Sequence, residues 1–195
     1  SLRDENSGVL GTGGNVGVEG LALPTLNRPE FEIVDSSNKN IGLDILANNA
    51  TVRRLAISGF GDSQNNDGEA NIRIGEVTGS LIEDCVIGTS AASFTAPAEV
   101  NTADNIRARM GGGGTIRNNL IGFSGGNGIG ILENTAGWLI VGNEIRGNAH
   151  QDAELNGISL STSRFQQCCG SPPRNWVIGA TIQVDSLCRI GINDK

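Results

Sequence analysis

An isoleucine recurs at an equivalent place in six segments of this chain. They are Glu30-Phe31-Glu32-Ile33, Arg54-Leu55-Ala56-Ile57, Asp84-Cys85-Val86-Ile87, Asn118-Asn119-Leu120-Ile121, Gly142-Asn143-Glu144-Ile145 and Gly179-Ala180-Thr181-Ile182. The separations of 24, 30, 34, 24 and 37 residues read as one 24-residue unit carrying loop insertions. Recurrence at this length marks a repeat architecture, in which each unit buries its apolar residues only by stacking on its neighbours.

Two further apolar columns accompany the first. One lies five residues earlier, at Val52, Ile82, Ile116, Ile140 and Val177. The other is an alternating pair: Leu43/Ile45, Ile72/Ile74, Ile106/Ala108, Ile129/Ile131, Ile158/Leu160 and Ile190/Ile192. Alternation over three residues specifies a short strand with one buried face. No segment sustains a helical period, and glycines interrupt the chain too often for helices. The expected fold is all-β: a right-handed parallel β-helix, a solenoid of about six coils with three short strands each. It is expected over 21–195, with 1–20 as an N-terminal segment or incomplete cap. At about 4.8 Å per coil, six coils span roughly 29 Å.

Composition agrees. There are 29 glycines, aromatics make up 4%, and tyrosine is absent, so the core must be aliphatic. The net charge of −7 argues against nucleic-acid binding, which needs a basic face. No stretch is long and apolar enough to span a membrane. The chain opens at Ser1 without Met or a leader peptide, which suggests processing or trimming.

Asn119 and Asn143 occupy the position two before the aligned isoleucine, in a column that also holds Cys85. Asparagine tolerates the left-handed backbone of a sharp corner, and its amide can bond the next coil. Here Ile116-Arg117-Asn118-Asn119-Leu120-Ile121-Gly122 and Ile140-Val141-Gly142-Asn143-Glu144-Ile145 resemble the coil pattern of the pectate-lyase-like superfamily. The resemblance covers roughly 20–192, and within that superfamily it is nearest to secreted bacterial β-helix proteins. It implies fold more than activity, because one such scaffold hosts lyases, hydrolases, epimerases and inactive surface proteins.

Several residues are candidates for a site. Asp44, Arg73 and Arg107 share a column on the first strand, with Arg109 two residues on. In carbohydrate-active relatives this face often lines the substrate groove, and arginine forks a carboxylate well. The four residues are therefore either an acidic-glycan face or a surface ion-pair network. Trp138 either stacks on a sugar or covers a loop base. Arg53, Glu83 and Arg117 alternate in charge along one column and read as an exposed ladder. Asp62, Asp67 and Glu69 offer carboxylates at short spacing, which makes calcium the one metal with ligands in view. No EF-hand fits, since Arg73 falls at the twelfth position. The sequence demands no other cofactor. His150, the one histidine, lies near Asp152 and Glu154 and is a proton-transfer candidate with no nucleophile motif beside it. Cys168, Cys169 and Cys188 are disulfide candidates, while Cys85 reads as a buried thiol.

The clustered carboxylates of the superfamily's enzymes do not appear at matching positions of adjacent coils. Neither end of the solenoid carries a recognisable cap, which points to a longer protein or to contact between copies. The expected role is a non-enzymatic extracellular or cell-surface scaffold that self-associates through its ends. The alternatives are a lyase or hydrolase of acidic glycans, or a non-catalytic glycan-binding module. Self-association and polysaccharide are thus the partners in view.

Overall fold

Short β-branched runs separated by glycine and asparagine favour brief strands over helices, because the branched side chains fit a pleated surface. A computed structural model describes residues 8–11, 13, 15–16, 21–61, 68–98, 103–132, 137–150, 157–161, 177–179 and 190–193. Every regular element among them is a strand.

Four two-residue strands come first: β1 (Val9–Leu10), β2 (Asn15–Val16), β3 (Leu21–Ala22) and β4 (Leu26–Asn27). β1 pairs antiparallel with β4, and β2 with β3. The rest form three parallel sheets, visited in rotation. The chain passes through β5 (Phe31–Val34), β6 (Ile41–Ile45), β7 (Thr51–Arg53), β8 (Leu55–Ser58), β9 (Ala70–Ile74) and β10 (Leu81–Glu83). It continues through β11 (Val86–Ile87), β12 (Asp104–Arg109), β13 (Thr115–Arg117), β14 (Leu120–Gly122), β15 (Ile129–Leu132) and β16 (Leu139–Val141). β17 (Glu144–Arg146), β18 (Ile158–Ser161), β19 (Val177–Gly179) and β20 (Ile190–Asn193) complete the order. One sheet runs β6-β9-β12-β15-β18-β20, a second β7-β10-β13-β16-β19, and a third β5-β8-β11-β14-β17.

Register follows the isoleucine columns. Ile33, Ile57, Ile87, Ile121 and Ile145 pair across the third sheet. The alternating pairs of the first sheet align from Leu43/Ile45 through Ile190/Ile192. In the second sheet Val52, Ile82, Ile116 and Ile140 align, but the next partner is Ile178; Val177 pairs with Leu139. The expected column is therefore shifted by one residue at its end. Ile182 lies outside the described residues. The inward members from all three sheets merge into one core, where most isoleucines are fully buried. Each contributes roughly 1.5–3 kcal/mol.

Corners fix where each strand stops. Between the second and third sheets one residue adopts positive φ at each of four described corners: Arg54 (54°), Asp84 (55°), Asn118 (52°) and Gly142 (64°). The left-handed residue is thus Asn118, one before the position expected, and Asn119 keeps an ordinary backbone. The Asn119 amide instead links repeats from inside. Its Oδ1 accepts from the Cys85 N–H at 2.9 Å, and its Nδ2 donates to Ile82 O at 3.0 Å and Asn143 Oδ1 at 2.9 Å. Asn143 Oδ1 also accepts from the Asn119 N–H, and its Nδ2 donates to Ile116 O.

A second buried amide ladder stands at the corner into the first sheet. Asn71 Nδ2 donates to Asn105 Oδ1 at 2.6 Å, and Asn105 Nδ2 donates to Asn148 Oδ1 at 3.0 Å. Asn148 reaches this column from the preceding corner. Gly128 makes room, since a Cβ there would lie 2.7 Å from Asn148 Nδ2.

Asn119→Ala leaves the Cys85 N–H without its partner in the core and removes one bond each from Ile82 O and Asn143 Oδ1. The expected loss is about 2 kcal/mol, chiefly from the unsatisfied buried N–H at roughly 1–3 kcal/mol. A urea-denaturation midpoint, compared with that of Lys39→Ala on the exposed surface, checks it.

Candidate functional site

The charged column of the first sheet comes together as its spacing implies: Asp44 pairs in register with Arg73, and Arg73 with Arg107. Strand pairing places these side chains on one outer face. Arg73 is forked onto Asp44, with Nε donating to Oδ1 at 3.0 Å and Nη2 donating to Oδ2. That hydrogen bonding holds Arg73 more basic than usual, against the opposing effect of burial.

Arg107 takes a different partner, Asp104, at 3.1 Å. Asp104 is 4% exposed and also accepts from the Asn127 N–H and Nδ2 at 2.6 and 3.0 Å. Burial pushes its carboxyl above the ordinary value, although Arg107 and Asn127 pull the other way. Arg109, paired with Leu132, is half-buried and is not a free cation. The geometry is thus that of a compensated ion-pair network. Asp104 escaped the sequence reading because residues three apart on a flat strand point to opposite faces.

Trp138 is 2% exposed and belongs to the main core, packed over Gly114. Its ring faces are therefore closed to a sugar, which corrects its place among the ligand-binding candidates. Glu69 is buried, while Asp62 and Asp67 lie outside the described residues. No group of three or more His, Cys, Asp or Glu among the described residues is arranged to hold a metal ion. His150 is exposed, its N–H donating to Ser124 O at 3.2 Å; Asp152 and Glu154 are outside the described residues. So are Cys168, Cys169 and Cys188. Cys85 is a fully buried thiol whose pKa is pushed up to about 11, chiefly by burial.

The charge ladder of the second sheet is only half formed. Glu83 Oε2 accepts from Arg117 Nε and Nη2 at 2.9 and 2.6 Å, and Arg53 is left without a carboxylate partner among the described residues.

Two surface features lie apart from the candidate site residues. The first is a lateral cover on the third sheet. Ala56, Val86 and Leu120 form an outward column that is nonetheless buried, under Leu10, Leu26, Ala91 and Phe94. Arg28 Nη2 ties this cover down by donating to Ala92 O at 2.9 Å. Arg146 lies 4.7 Å from the Phe94 ring centroid and 5.5 Å from that of Phe123, and it pairs with buried Glu144 at 3.1 Å. The apolar outward column was the available clue.

The second feature is an uncovered end. Phe31 and Ile33 pair with Leu55 and Ile57 and so belong to interior columns. Ile57, Ile87, Ile121 and Ile145 are fully buried, yet Ile33 is 37% and Phe31 56% exposed. β5 has a strand neighbour on one side only among the described residues. The β1–β4 pair packs against the flank of the sheet rather than across this edge.

Comparison with family models, curated proteins and solved structures gives no significant match. No helix among the described residues is long and apolar enough to cross a membrane.

The two ion pairs of the charged face differ in burial, and their variants separate accordingly. Arg107→Gln removes the cation beside a buried carboxylate and is expected to cost about 3 kcal/mol. Arg73→Gln, at a pair about one-third exposed, is expected to cost about 1 kcal/mol or less. Chemical denaturation of both variants reads the difference.

Proposed function

We propose that this chain is a right-handed parallel β-helix of about six coils, of the pectate-lyase-like kind. We read it as a non-enzymatic extracellular scaffold whose copies associate end to end. The observation that carries the reading is the open end of the core at β5. Interior-column residues Phe31 and Ile33 are exposed there, beside Val34 at 55%. An uncovered strand edge with an apolar interior behind it is a template for another strand. The surface that best continues these columns is another coil with the same spacing, which a second copy supplies. A heterologous contact of this kind propagates into a filament.

The paired arginines support the scaffold over the glycan readings. Arg73 is occupied by Asp44 and Arg107 by Asp104, so a carboxylate ligand would have to displace an existing ion pair at each. Buried amide ladders that fix register between repeats suit a stack that serves as a scaffold.

Light scattering and electron microscopy across a concentration series test this. Wild-type protein is expected to grow in mass with concentration and to form fibres of uniform width. Phe31→Glu/Ile33→Glu, which charges the open end, is expected to remain a single small species with an unchanged strand signature in circular dichroism. Wild-type particles that stay monodisperse at every concentration would sink the proposal.

A further inference from the structure

A cavity of about 490 Å³ lies beside the open end, lined by Thr25–Phe31 on one side and by Arg53, Arg54 and Asp84 on the other. It exists because the chain leaves the stack there. Continuing the Ile33–Ile57 register backwards would set Pro29 opposite Arg53, where a further strand would pair with β7. Residues 26–27 instead pair with β1 on the flank, and the notch stays open.

Three features of the lining bear on what this notch can hold. First, Arg53 is deprived of its ladder partner, because both bonds to Glu83 Oε2 come from Arg117. Second, Arg54 holds a left-handed backbone at φ 54° in a column otherwise filled by Asp84, Asn118 and Gly142. Those three types tolerate that conformation, whereas a long side chain is disfavoured in it. The same conformation occurs at Met110, Phe123 and Ala149, so at Arg54 it matters as the corner that sets this arginine in the notch lining beside Arg53. Third, Arg28 Nε is shielded from solvent and has no hydrogen-bond partner, although its Nη2 is engaged by Ala92 O. The lining therefore carries three arginines against two carboxylates, Glu30 and Asp84, with the exposed Phe31 ring alongside.

We infer that this notch binds a small organic anion, its acid group forked by Arg53 and Arg54 and its ring or apolar part lying on Phe31. Guanidinium forks match phosphate and carboxylate oxygens in two parallel hydrogen bonds. An aromatic face supplies apolar area at one side of a polar mouth. Glu30 and Asp84 accept from hydroxyl or amino groups on the same ligand and disfavour a bare polyanion. The site is separate from the Asp44–Arg73–Arg107 face and needs no second copy.

Calorimetric titration of dilute full-length protein with phenyl phosphate, benzoate and inorganic phosphate tests the site. Saturable binding of phenyl phosphate or benzoate is expected. The tighter of the two identifies whether organic phosphates or carboxylates are the ligand class. Arg53→Gln/Arg54→Asn is expected to weaken that binding by about tenfold or more. Asn at 54 keeps a residue suited to the left-handed corner, so the variant retains its fold. Phe31→Ala is expected to weaken the ring-bearing ligand and leave inorganic phosphate unchanged. The inference is overturned by absence of saturable binding for both organic anions, or by binding that the arginine variant leaves intact. Because Phe31 also lies on the open end, the arginine variant, which leaves β5 untouched, is the one that separates this site from assembly.

Discussion

Cross-repeat register is the constraint on which everything else in this molecule depends. Parallel pairing sets equivalent residues one above another, and a slip of a single residue would turn every buried isoleucine outward. Isoleucine columns alone hold register only through burial, which is non-directional. The buried amides add direction. Asn119 accepts from the Cys85 N–H on one side and donates to Asn143 Oδ1 on the other, so these three repeats are keyed to one another by atoms that must meet. A slipped repeat would leave those donors and acceptors unsatisfied inside the core, at a cost that apolar packing cannot offset.

Much of this was legible in the sequence because its signals are local and periodic. The pairs from Leu43/Ile45 to Ile190/Ile192 needed only alternation and a repeat length, and every one aligns. The error at Val177 has a simple source. Val177 and Ile178 are adjacent and both β-branched, so apolarity cannot choose between them, and pairing selects Ile178 for the column of Ile140. Asn118 and Asn119 posed the same ambiguity. Two identical residues sit at one corner; the first takes the left-handed turn and the second turns its amide inward.

What the sequence concealed is what crosses between segments of unequal length. Asn71 and Asn105 share a column, but the third rung is Asn148, from another corner, admitted by the missing side chain at Gly128. No fixed spacing predicts that substitution. The choice of partners among the arginines was hidden for a related reason. Columns show that Arg53, Glu83 and Arg117 are neighbours, but only geometry shows that one carboxylate oxygen takes both bonds from Arg117.

The flank cover has a consequence for how the chain reaches its fold. In a simple repeat stack each unit touches only its neighbours, and folding can start anywhere and spread. Here Leu10 and Leu26 pack on a surface made by Ala56, Val86 and Leu120, and Arg28 bonds Ala92, 64 residues away. That surface does not exist until Leu120 has been placed. The segment bearing Leu10 and Leu26 therefore completes its packing late, after the repeats it rests on, which follow it in the chain, have formed. Once docked, it bridges successive repeats from outside and converts a chain of nearest-neighbour contacts into a unit that opens together.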